Sequence, residues 1–360
     1  MQAYHASDII NLTMSIRYKF IFFFILVCIL FLFLYSVRGI LTPFVLAAVF
    51  AYIFNPLVNF LSNKLRMPRT LSVALIYIII MAIIVIASYI LTKRTIEESS
   101  ELRGYITHLV IHTKIQIHSL PDFAQGFIFD ALNSIQKSKL LTSTSLFSLF
   151  PQIFTHILSF IIFLFSGFYF LKEGRAITDR FIHQIPNKYK VDVEILIRRI
   201  NAVMGGYLRG QLLLIIIVSC LLFICLSILG ERFSLILSIF SGFAEIVPII
   251  GPITAGVVAA LVILITGNNN FGLAPIQGVI VVGLIYFLVR QLQDYFITPI
   301  IMGKITKLPS IIILFSVLAG GHMFGVVGLI LAVPIAATIR ILLEYSLDIV
   351  NDNDKKNPRK

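Results

Sequence analysis

Long apolar runs separated by short polar links make up most of the chain. Runs at 18–37, 44–61, 71–92, 147–171, 211–229 and 272–289 match the length of roughly 18 apolar residues that crosses a bilayer core of about 30 Å. Two further runs, 234–266 and 309–343, are interrupted. In the first, Glu245, Pro248, Gly251 and Pro252 separate two apolar arms; in the second, Gly320-Gly321-His322-Met323-Phe324-Gly325 does so. Each arm is about 13–17 residues, at or below the usual spanning minimum. The pattern predicts an all-α polytopic membrane protein with five to six full spans and two broken, re-entrant hairpins. Two short complete helices in place of each hairpin is the alternative.

The links refine this picture. Pro43 suits the first turn of the second span, and Asn55-Pro56 predicts a break near that span's other end. In 93–149, Leu102, Ile106, Leu109 and Thr113 share a helical face, which predicts short amphipathic helices. Within 176–210, Val193, Leu196, Ile200, Val203 and Tyr207 recur at spacings of three and four, predicting another. The division that follows is a three-span region at 1–92 and an extracytoplasmic helical insert at 93–146. A fourth span with its cytoplasmic amphipathic helix occupies 147–210. A core of two span-plus-hairpin units fills 211–346, and a disordered cytoplasmic tail 347–360.

Composition fixes the class. Hydrophobic residues make up 58% of the chain and charged ones 13%, about half the charged share of a typical soluble domain. The net charge of +12 falls in links between apolar runs, where a membrane surface explains it and nucleic acid does not. Membrane lipid and a small solute or ion are the expected partners. Cys28, Cys220 and Cys225 lie in apolar runs without a CxxC, so neither a disulfide framework nor a zinc site is indicated. The first apolar run is too long for a signal h-region and reads as an uncleaved span.

Basic links set the orientation. Arg17/Lys19, the 62–70 link, the basic stretch 172–210 and the tail fall on one side, which places both termini in the cytoplasm. Span 211–229 then runs outward, so 234–266 begins and ends outside; span 272–289 returns, so 309–343 begins and ends inside. Two units of opposite orientation result. Inverted pairs of discontinuous helices place transporter binding sites at their interface, so the two tips, Glu245–Pro252 and Gly320–Gly325, are expected to meet around a solute.

The candidate chemistry is sparse. A carboxylate inside an apolar run is costly and marks a functional site, which makes Glu245 a candidate proton, cation or solute ligand. Its alternative is a neutralised carboxyl bonded to the other hairpin. Arg290 and Asp294 stand at i, i+4, an arrangement that serves a helix-end ion pair as well as ion coordination. His322 would form a pH-sensitive pair if it met Glu245. Arg209 and Gln211 mark the cytoplasmic mouth of a span. His108 and His112 share a face, but without a carboxylate or cysteine partner they do not make a zinc site. No Walker A sequence, HExxH or Ser/His or paired-Asp constellation is present in the sequence. Secondary transport, coupled to a proton or sodium gradient or by plain facilitated diffusion, is therefore the expected function, with no enzyme activity and no cofactor or metal. A membrane scaffold acting through 93–146 is a further reading.

Several motifs then show a family resemblance. Tyr207-Leu208-Arg209-Gly210-Gln211, Glu245-x-x-Pro248-x-x-Gly251-Pro252, the Asp294 to Pro299-x-x-x-Gly303 connector and Gly325-x-x-Gly328…Pro334 resemble the AI-2E family of permeases. The resemblance covers nearly the whole chain and is weakest over 93–149. It implies a multi-pass bacterial inner-membrane protein of oligomeric assembly; the family includes an exporter of autoinducer-2, and export of a small polar solute such as an autoinducer-2-like signal is the leading reading. Some members of that family look like sodium(lithium)/proton antiporters, so the resemblance leaves the substrate open.

Overall fold

The structure is a computed structural model that describes residues 36–90, 146–231, 233–267, 270–302 and 308–356, with a few positions of 25–33. The predicted insert at 93–146, with His108 and His112, lies outside the described residues except for Leu146. The described chain is helical, with no strand in it. Helix α1 is Arg38–Lys64, α2 Arg69–Ile90, α3 Leu146–His183 and α4 Asn187–Leu229. Next come α5 Ser234–Ala244, α6 Ile250–Thr266 and α7 Pro275–Leu292. A π-turn, Gln293–Ile297, joins α7 to the short α8, Thr298–Met302. Helix α9 is Ser310–Lys356. Six helices are long and apolar enough to cross a membrane among the described residues.

Several expected breaks are helix instead. Helix α1 begins at Arg38, so Pro43 lies inside it and not in its first turn, and it runs through Pro56 without stopping. The amphipathic stretch before 210 and the span after it are one helix of 43 residues. The 290–302 connector is helical through the π-turn, and α9 carries the helix into the tail as far as Lys356. The physical reason is common to all of them. A polar residue ends a membrane span without ending the helix, because continuing the helix satisfies each backbone group at the water boundary.

The packing falls into two bodies joined by a third cluster. Val58, Val73, Ile76 and Leu171 bind α1, α2 and α3 together. Leu226, Leu237, Ala259, Ile263 and Val282 bind α4 to α5, α6 and α7. Val49, Tyr207, Leu208, Val317, Ala332 and Val333 join α1, α4 and both arms of α9, with Val247 packed against them. Outward positions such as Ile78, Ile280 and Phe315 remain 66%, 66% and 71% exposed. Side chains of that size left open around helices of spanning length face lipid.

Helix α5 has 11 residues and so extends only about 16 Å, half of the hydrocarbon core. Helix α9 reverses at Gly325, where φ is 59° and ψ −139°, a backbone conformation that glycine alone adopts without strain. A Cβ on Gly328 would stand 1.8 Å from the Gly320 oxygen, whereas residues eight apart in a straight helix are separated by about 12 Å. The two arms, 310–324 and 326–356, therefore pack backbone against backbone. The sequence places this interruption at 320–325; the structure keeps Gly320 to Phe324 helical and turns at Gly325.

Candidate functional site

The break between α5 and α6 is built by its own sequence. Proline 248 donates no hydrogen bond, and the Ile250 amide donates to the Pro248 oxygen at 2.8 Å. Between them Ile249 has φ 70° and ψ −59°, the strained γ-turn of positive φ. A β-branched residue there is held by its surroundings at a cost of about 1–3 kcal/mol. Gly251 lies against α5, where a Cβ would be 1.8 Å from the Ala244 oxygen. The result is a tight elbow that leaves Glu245 at the C-terminal end of α5.

Glu245 is 7% exposed and its carboxylate is held from α7 and the π-turn. Gln293 Nε2 donates to Glu245 Oε2 at 2.8 Å, and the Arg290 guanidinium stands 3.7 Å from the same oxygen. Arg290 Nε also donates to Asp294 Oδ2 at 2.8 Å. The expected Arg290–Asp294 pair thus exists and reaches on to Glu245. Gln211 Nε2 donates to the Glu245 backbone oxygen at 2.9 Å, fixing the elbow to α4. Beside the carboxylate is a cavity of about 20 Å³ lined by Ser241, Glu245, Pro252, Tyr286, Arg290 and Gln293, among others. That volume holds about one water or one small ion. Ser241 donates to the Leu237 oxygen at 2.6 Å, so the Tyr286 hydroxyl, 2.7 Å away, donates to Ser241.

The other hairpin does not join this chamber. Gly320 and Gly321 lie at the packed arms of α9, and the Met323 oxygen at the turn accepts from Arg38 at 2.9 Å. His322 makes no hydrogen bond or ion pair among the described residues, while the Glu245 carboxylate is occupied by Gln293 and Arg290. What meets the α9 arms is Val247, through the cluster containing Val317 and Val333. The contact between the two hairpins is apolar and closed.

A second, larger cavity of about 480 Å³ opens between α1, α3 and α4, with Arg69 from the start of α2 in its wall. Of the residues singled out in the sequence, Asn55 and Arg209 line it. Arg209 and Gln211, two residues apart on α4, therefore serve different places, the larger cavity and the Glu245 backbone. Sequence reasoning missed Gln293, Tyr286 and Ser241. A signal was present: Tyr286, Arg290 and Gln293 follow the i, i+4, i+7 spacing of one helical face where the apolar run 272–289 ends.

Comparison with known proteins agrees with this architecture. The family described as "AI-2E family transporter" matches residues 20–348. "Putative transport protein YrrI" of Bacillus subtilis is 25% identical, over 86% of this chain and 88% of that protein. "Putative transport protein YueF" of the same organism is 27% identical, over 83% and 82%. A protein of Halobacillus andaensis named "Sodium-lithium/proton antiporter" is 21% identical, over 82% and 87%. With a family match across nearly its whole length and six helices of spanning character, this chain belongs to the AI-2E family of multi-pass membrane transporters.

Proposed function

We propose that the chain is a secondary permease of the bacterial inner membrane that exports a small polar solute such as an autoinducer-2-like signal, with Glu245 as its coupling group. The carrying observation is the carboxylate itself: buried at a helix break, bonded to Gln293 and near Arg290, beside room for about one ion. That space suits a proton or small cation and excludes a solute, which must take another route. The length of α5 supports reading 234–266 as re-entrant, and the reversal at Gly325 supports the same for 310–343. In this reading both termini are cytoplasmic, the apolar cluster of Val49, Leu208, Val247 and Val333 is the closed gate, and the protein is a homo-oligomer.

One observation favours a second reading. A chamber of ion size with Glu245 and Asp294 sharing Arg290 fits sodium(lithium)/proton antiport, the activity named for the Halobacillus relative. Proteoliposomes separate the two. Export predicts gradient-dependent release of trapped autoinducer-2, lost in Glu245→Gln. Antiport predicts sodium- or lithium-driven proton movement, read by a trapped pH dye and lost in the same variant. Wild-type vesicles that do neither would refute both.

A further inference from the structure

The cavity between α1, α3 and α4 is lined by three guanidinium groups, Arg69, Arg175 and Arg209, against a single carboxylate, Asp179. We infer that it is a binding site for an oxyanion, the phosphate or carboxylate group of a small solute or of a lipid headgroup. Its volume of about 480 Å³ lies within the range of roughly 300–1,000 Å³ typical of small-molecule sites.

The arginines are placed rather than merely present. Arg69 is fixed at three points: Nε donates to the Leu171 oxygen at 2.9 Å, and its two terminal nitrogens donate to Asn59 Oδ1 at 3.2 Å and Asn55 Oδ1 at 3.1 Å. A guanidinium has five N–H groups, so two remain for a ligand. Arg209 donates to the Tyr52 backbone oxygen at 3.2 Å. Gly205 makes room for it, since a Cβ there would come within 2.8 Å of the same guanidinium. The Tyr52 hydroxyl donates to Asn201 Oδ1 at 2.7 Å, adding polar wall between α1 and α4.

Among the described residues neither Arg69 nor Arg209 is paired with a carboxylate; backbone and side-chain amide oxygens hold them. The side chains of Arg175 and Asp179 make no ion pair or hydrogen bond among the described residues, and Arg175 lies close enough to Arg69 to repel it. Anchoring at a membrane surface needs only charges that point to water and lipid headgroups. It does not explain two guanidiniums, Arg69 and Arg209, held by hydrogen bonds in the wall of a shared hollow. Arginine's planar fork matches carboxylate and phosphate oxygens two at a time, and an anion here would relieve the repulsion. Where the anion belongs to the transported solute, the inference deepens the export reading. The test reads binding, so a failure of coupling at Glu245 leaves it standing.

The full chain in detergent is titrated with inorganic phosphate and with citrate at constant ionic strength, following thermal unfolding and heat of binding. In parallel, nanodiscs with and without phosphatidylglycerol are assayed for retained lipid by native mass spectrometry. Arg175→Gln is the informative variant, because the Arg175 side chain is exposed and makes no hydrogen bond or ion pair among the described residues that the fold would lose. Arg180→Gln, on the same helix but outside the lining, is the control. The expected result is saturable binding of a soluble anion or selective retention of the anionic lipid, weakened at least tenfold by Arg175→Gln and unchanged by Arg180→Gln. Soluble-anion binding identifies a solute source, and lipid retention alone identifies a headgroup. Absence of both, or equal weakening by the two variants, overturns the inference.

Discussion

Replacing Glu245 in two ways separates its structural contribution from its functional one. In Glu245→Gln the volume is kept and the side-chain oxygen still accepts from Gln293 Nε2, at 2.8 Å in the wild type. What is lost is the attraction of Arg290 at 3.7 Å. At an effective dielectric of about 20 that attraction is roughly 4 kcal/mol gross, but the amide also escapes the several kcal/mol that desolvating a carboxylate costs. The net change in stability is expected to be within about 1 kcal/mol. Glu245→Leu removes the acceptor altogether. Gln293, 4% exposed, is then left with a buried amide donor and no acceptor, which costs about 1–3 kcal/mol. A cycle with Gln293→Leu should therefore recover most of the loss, giving a coupling of about 1.5–3 kcal/mol. Thermal unfolding in one detergent, read by intrinsic tyrosine fluorescence, ranks the wild type, the three single variants and the double variant. Proteoliposome flux should be lost in both Glu245 variants. If Glu245→Gln transports at the wild-type rate, or if the Leu variant is not the less stable of the two, the assignment of Glu245 as a buried, titrating coupling group fails.

Other outcomes follow from the same geometry. Gly251→Ala places a methyl 1.8 Å from the Ala244 oxygen; overpacking of this kind costs about 1–3 kcal/mol, so a lowered unfolding midpoint and reduced flux are expected. Ile249→Gly releases the positive-φ strain and should raise the midpoint, by an amount equivalent to about 1 kcal/mol; a fall would mean that the γ-turn is not strained. Gly328→Ala should separate the α9 arms, where the added Cβ meets the Gly320 oxygen, and expose a cysteine placed at Val317 to thiol reagents. Cysteines at Phe271 and Leu308 should label from opposite sides of sealed vesicles, and labelling from the same side would end the inverted-pair topology.

The apolar runs and the two interruptions were legible in the sequence because hydrocarbon imposes a one-dimensional rule: length and polarity alone decide what can cross it. The same rule marked Glu245, the one carboxylate inside the interrupted run 234–266. It also picked out Gly251 and Pro248 as elbow residues, and the structure gives their reasons in a 1.8 Å approach and a γ-turn. Helix ends were read less well. Pro43, Asn55-Pro56 and the links before Gly210 and after Arg290 look like helix boundaries, yet α1, α4 and the α7–π-turn–α8 segment continue through them. Polarity reports where a span leaves the membrane and carries no instruction for the backbone to unwind.

Which side chains share a chamber was decided by tertiary structure alone. Gln293 reaches Glu245 across 48 positions of sequence, and Arg69, Arg175 and Arg209 converge from three separate helices. Each looked in the sequence like an ordinary residue at the edge of a span. Local pattern encodes what a residue can tolerate around it, but the partner it meets depends on how the helices cross. Here glycine contacts and interlocking apolar side chains fix those crossings, and no periodicity along the chain records them.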